Sequence, residues 1–212
     1  MITNSAMIIR CHEIGAKELY LCKFFKNFFS TNIFLSLNSK EFVKQNDLNI
    51  VNWSFSDIAE DGWPRIDLGW RCGDINFYQV VKKFGDFKYY WMCEPDVFFH
   101  KFSSNQFFSQ FESNTSDYLA VSIGKRDKNW PWHKHSSIIN KNVFGSFFCL
   151  VRLSKNSVKH LYEKRLNLLK LFRRENISSR FLPNDEGFVT TVLANSEQFS
   201  LMSLEKDMNS TF

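Results

Sequence analysis

The chain is poor in the residues that break or staple structure. Its 212 residues include only 8 glycines and 4 prolines, too few for a loop-rich secreted scaffold. The five cysteines, at positions 11, 22, 72, 93 and 149, are odd in number and form no C-x-x-C pair. A disulfide framework is therefore not expected, and a reducing compartment is. No uninterrupted apolar stretch reaches the roughly 18 residues that a membrane-spanning helix needs. Met1–Arg10 lacks the charged start and long apolar region of a signal peptide. A cytoplasmic protein is the expectation. The charge balance is 27 basic against 22 acidic residues, a net +5 spread along the chain. That excess suits an anionic ligand, or peripheral contact with an anionic membrane at the inner face of the plasma membrane. It is too small to announce nucleic-acid binding.

What the chain has in abundance is aromatic residues, at 17% with 24 Phe, within a 44% hydrophobic composition. This is enough to fill one substantial core. Ala6–Cys11 reads as a buried strand, Gly15 to about Phe28 as a helix, and Asn32–Leu37 and Leu48–Trp53 as two further strands. Glycines and a proline break Asp61–Gly73 into a long loop before a helix from about Asp74 to Phe84. Phe87–Cys93 is the best candidate for a central strand, and Val97–His100 resumes an extended pattern. A helix around Ser104–Phe111, a strand Tyr118–Ile123 and a basic aromatic loop Gly124–Asn140 follow. Phe144–Leu153 is a strand, Ser154 an N-cap for a helix Lys155–Arg174, Gly187–Ala194 a helix and Gln198–Met202 a last strand. The strand–helix–strand opening implies a mostly parallel central sheet flanked by helices, a single α/β domain over residues 1–212.

The sharpest chemical feature is YYWMCEPDVFF, Tyr89–Phe99. An apolar strand ending in Glu94 and Asp96 delivers two carboxylates to the carboxyl edge of a sheet, where open α/β sheets bind ligands. Extended alternation points both the same way, as Mn²⁺ or Mg²⁺ held against a substrate diphosphate requires. An acidic turn explains the same residues equally well. Within the basic loop, Trp130 and Trp132 offer apolar faces with polar edges to a ligand, which under the resemblance given next would be an acceptor platform; two Trp packed under the domain are the plainer alternative.

The order of these features resembles a glycosyltransferase of the A-type (GT-A) fold, the Rossmann-like class that uses nucleotide sugars. The CEPDVFF segment is similar to the EPDV form of the fungal alpha-1,2-mannosyltransferase family. LPNDEGFVTTVLAN, Leu182–Asn195, resembles the late acidic motif of core-2 branching N-acetylglucosaminyltransferases. The resemblance implies a nucleotide-sugar donor and a glycan or lipid-linked acceptor, and suits bacterial surface polysaccharide assembly. It implies a donor-binding half over about 6–123 and an acceptor-binding half over about 124–212. By the same resemblance Glu186, with Asp185 beside it, takes the proton of the acceptor hydroxyl, and Asp74 lies near the donor nucleoside. Arg10 and His12 meet the nucleotide after the first strand, and Gly145 floors the acceptor site. EPDV implies retention of configuration and a late acidic base implies inversion. Two other readings stand beside this one: a metal-dependent nucleotidyltransferase, and a non-catalytic module for RNA or acidic glycans.

Overall fold

The computed structural model describes residues 2, 4–99 and 104–205. The chain begins with β1 (Ser5–Cys11), α1 (Ala16–Phe29), β2 (Ile33–Asn38) and β3 (Asn49–Trp53). Three helices follow, α2 (Phe55–Ile58), α3 (Leu68–Arg71) and α4 (Ile75–Lys83), before β4 (Tyr89–Cys93). Next come α5 (Ser104–Gln110), β5 (Tyr118–Lys125), α6 (His133–Ser136) and β6 (Phe144–Ser154). The last described elements are α7 (Lys155–Arg174), α8 (Asp185–Ala194) and β7 (Leu201–Ser203).

The seven strands form one sheet in the order β3-β2-β1-β4-β6-β5-β7. β1 pairs in parallel with β2 and β4, β2 with β3, and β5 with β7. Only β6 runs against its neighbours β4 and β5. The sheet is thus mostly parallel and flanked by helices, as expected. Covering both faces explains why β1 and β4 are buried along their whole length. Ala6, Ile8, Tyr90 and Met92 enter the layer beneath α4, α7 and α8. Met7, Ile9, Trp91 and Cys93 enter the layer beneath α1. Much of the phenylalanine goes into this second layer, where Phe28 and Phe25 meet Phe108 at centroid distances of 4.8 and 5.9 Å.

Ser154 caps α7 as expected, accepting a hydrogen bond from the Ser157 N–H. The expected loop Asp61–Gly73 instead carries α3, whose first turn is capped by the Asp67 side chain. α6 likewise interrupts the basic loop. Val97–Phe99 takes no strand pairing, and His100, like residues 206–212 of the expected domain, lies outside the described residues. No described helix is long and apolar enough to cross a membrane.

Candidate functional site

Strand order reverses beside β1, because the chain runs outward to β2 and β3 and then returns to the other side at β4. At the carboxyl ends of β1 and β4, the ligand-binding position of such sheets, lies a cleft of about 690 Å³. Glu94 and Asp96 reach it from the end of β4, Asp185 and Glu186 from the amino end of α8, and Arg10 and His12 from the end of β1. Two acidic pairs separated by some ninety residues in sequence therefore share one cavity.

Arg10 is the buried post around which they gather. Its Nη1 donates to Glu94 Oε1 at 2.6 Å and lies 3.6 Å from Asp185 Oδ2. Its Nη2 donates to the carbonyls of Gly69 and Trp70. The guanidinium expected to meet a nucleotide is thus engaged by the protein itself. Gly73 makes this convergence possible. A Cβ there would stand 2.5 Å from Asp185 Oδ2 and 2.6 Å from Arg10 Nη1, so only glycine admits both.

Asp185 is buried, with Oδ2 accepting from the Gly73 N–H and Oδ1 from the Glu186 N–H, both at 2.8 Å. Burial pushes its pKa up to about 7, against the pull of Arg10. Glu186 is half-buried and accepts from Asn184 Nδ2 at 3.3 Å, while Asn184 caps α8 through the Gly187 N–H. Burial, reinforced by the charge of Glu94, raises the Glu186 pKa. Glu94 is also raised, by burial above all and by Asp96, despite its arginine partner. Burial is thus the first cause that raises Glu94, Asp185 and Glu186 together, with Arg10 opposing it at Glu94 and Asp185.

Several expectations need correcting. Glu94 and Asp96 do not lie along an extended strand. The segment is a turn closed by the Val97 N–H on the Glu94 carbonyl at 3.2 Å, yet both carboxylates line the cleft. Asp74 does not face a nucleoside. It is fully buried, its oxygens bound by Arg165 at 2.8 and 2.9 Å and by the Tyr78 hydroxyl at 2.7 Å. Gly145 does permit a close approach, but of Trp130: a Cβ there would meet Trp130 Cη2 at 2.8 Å. Neither residue is among those lining the cleft. Trp132 does line it, and its partner is Trp70, with ring centroids 6.0 Å apart and tilted by 59°. Trp70, 61% exposed, and Arg71, seated over the Trp132 ring at 5.4 Å, are site residues that the sequence reading missed. A tryptophan beside an arginine in a glycine-broken loop was the signal available.

No family model and no curated protein matches the chain. Among solved structures it is similar to the galactosyltransferase LgtC in complex with donor and acceptor sugar analogs. The TM-score is 0.50 at 9% identity, covering 94% of this chain and 72% of that one. It also matches Core-mannan synthase A from Aspergillus fumigatus in its Mn/GDP form, with a TM-score of 0.40 at 12% identity, covering 90% and 68% of the two chains. By the strand order and the LgtC likeness, the chain has the A-type glycosyltransferase fold.

Proposed function

We propose that the protein is a glycosyltransferase that moves a sugar from a nucleotide-sugar donor to a glycan or lipid-linked acceptor, in bacterial surface polysaccharide assembly. The observation that carries this reading is the meeting of Glu94, Asp96, Asp185 and Glu186 in one cleft at the switch point of a GT-A sheet. The donor is held by the first half of the chain, about 6–123, and the acceptor by the second, about 124–212.

Asp96 and Glu94 would hold Mn²⁺ or Mg²⁺. Asp96 is exposed and accepts no hydrogen bond from a described residue, and only one Glu94 oxygen is taken by Arg10. No third His, Cys, Asp or Glu joins them among the described residues. That set fits a cation bound through one or two carboxylates and completed by diphosphate and water. Such a cation supplies compensation for charge developing on the leaving diphosphate. His12 stands at the end of β1 as a contact for the nucleotide. Glu186 accepts the proton of the attacking hydroxyl. Asp185, fixed by two backbone N–H groups, orients the start of α8. Peripheral contact with anionic lipid at the cytoplasmic face is assigned to the exposed Lys159, Lys164 and Lys170 of α7, and co-sedimentation with anionic against neutral vesicles tests it.

The activity reading is tested by thermal shift with a panel of nucleoside diphosphates, with and without Mn²⁺. A ligand at about a hundred times its Kd adds about 2.7 kcal/mol. Asp96→Asn should abolish the metal-dependent part. Equal stabilisation of both proteins would reduce the EPD segment to a turn.

A further inference from the structure

Arg71 differs from the other arginines around the cleft. Arg10 and Arg165 spend their donors on carboxylates and carbonyls. Arg71 lines the cleft, but among the described residues its guanidinium makes no hydrogen bond and no ion pair, and its Nε is buried without a partner. Its one directed contact is the face of Trp132, whose ring also neighbours Trp70. The nearby His135 ring, whose pKa burial and Arg71 itself hold down, is no anion for it to pair with. A planar five-donor fork placed over an indole, with its acceptors missing, matches a carboxylate or phosphate carried on a ring that packs against tryptophan.

The side of the cleft decides which substrate brings that anion. Leu68 and Cys72, which bracket Trp70 and Arg71, and Ile138 and Ile139 after α6 pack in the same layer as Phe188 and Val189 of α8. α1, whose Lys17 lines the opposite wall, packs in the other layer. Arg71 and Trp132 therefore stand on the Glu186 side. Resting on the glycosyl-transfer reading above, but with Trp70 and Arg71 of the first half of the chain crossing its donor–acceptor division, we propose that Arg71, Trp132 and Trp70 form an acceptor subsite for a sugar that carries an anionic group.

The test titrates glucuronate, glucose 6-phosphate and neutral glucose against the intact protein, followed by tryptophan fluorescence. Uridine and guanosine diphosphate are titrated in parallel. At least one acidic sugar should bind about tenfold or more tightly than glucose, the size expected of a charge-assisted pair. The stronger of the two names the anion as carboxylate or phosphate. Arg71→Gln should bring the acidic sugar down to the level of glucose while nucleoside diphosphate affinity stays unchanged. Arg71→Lys, which keeps the charge without the fork, should fall between and serves if the glutamine variant melts early. Three results would overturn the proposal: no preference for the acidic sugars, binding of none of them, or a loss of nucleoside diphosphate affinity on Arg71→Gln, which would move Arg71 to the donor. If acidic sugars respond as expected but no nucleoside diphosphate binds the wild type, the subsite stands and the activity reading fails.

Discussion

Glu186 and Asp185 adjoin in sequence but occupy different surroundings, and the difference underlies the roles proposed for them. Glu186 opens on the cleft with one weak side-chain donor, Asn184, so it is free to take a proton. Asp185 is clasped by the N–H groups of Gly73 and Glu186 beside Arg10. A carboxylate at a helix amino end contributes about 0.3–1 kcal/mol through the dipole, whereas general-base catalysis contributes about 10²–10⁴-fold in rate. Glu186→Gln should therefore leave melting and donor binding near normal while sugar transfer falls at least about a hundredfold. Retained transfer in that variant would remove the base role. Asp185 sets a pH dependence of stability instead. Its folded pKa of about 7 lies above the ordinary carboxylate value near 3.8. Through that window the folded state holds a proton that the unfolded chain has released. Stability then falls as pH rises from about 4 to about 7 and levels off above. Asp185→Asn should flatten this slope in a series of Tm measurements across that range, and an unchanged slope would assign the titration to another group.

At the scale of elements, the buried pair Arg165–Asp74 joins α7 to the amino end of α4. Arg165 also donates to the Pro183 carbonyl just before α8 and lies over the Phe188 ring at 3.5 Å. Burial opposes the charge of Arg165, but Asp74 more than offsets it and the arginine pKa is raised. Removing one partner of such a pair strands the other. Asp74→Ala should cost about 3–5 kcal/mol in urea unfolding, with nucleoside diphosphate affinity of the folded protein unchanged. Weaker affinity at full stability would return Asp74 to the donor site. The contrast shows where sequence reading reaches. α7, its Ser154 cap and the apolar strands were legible because period and cap are local properties. α3 was not, because its four residues are too few to show a period, and beyond its local Asp67 cap it is held by distant Arg10 on the carbonyls of Gly69 and Trp70. Asp74 at a helix start suited a ligand as well as a core partner, and only the arginine 91 positions later decides between them.

On the scale of the whole molecule, the acids were legible as residues, whereas the cation that gathers them was read only as a nucleotide contact and not as their hub. Arg10 sits on β1, yet it touches the turn after β4, the end of α3 and the start of α8, three segments brought together only by the closed sheet. No local pattern marks a strand-end arginine as the hub of a distant convergence. Its geometry makes the cleft one cooperative unit: a single guanidinium holds Glu94, Trp70 and Asp185 in fixed relation. A lysine at this position keeps the charge but has no planar fork to divide among three directions. Arg10→Lys should therefore loosen all three segments together. In amide hydrogen exchange, residues 69–73, 94–97 and 185–187 should lose protection in parallel, while β1, β2 and β4, whose bonds lie within the sheet, keep theirs. Donor and acceptor probes should both weaken in the same variant, because each half of the cleft leans on the same side chain. Faster exchange in only one of the three segments would show that the others are held independently, and that Arg10 is a local partner of that segment alone.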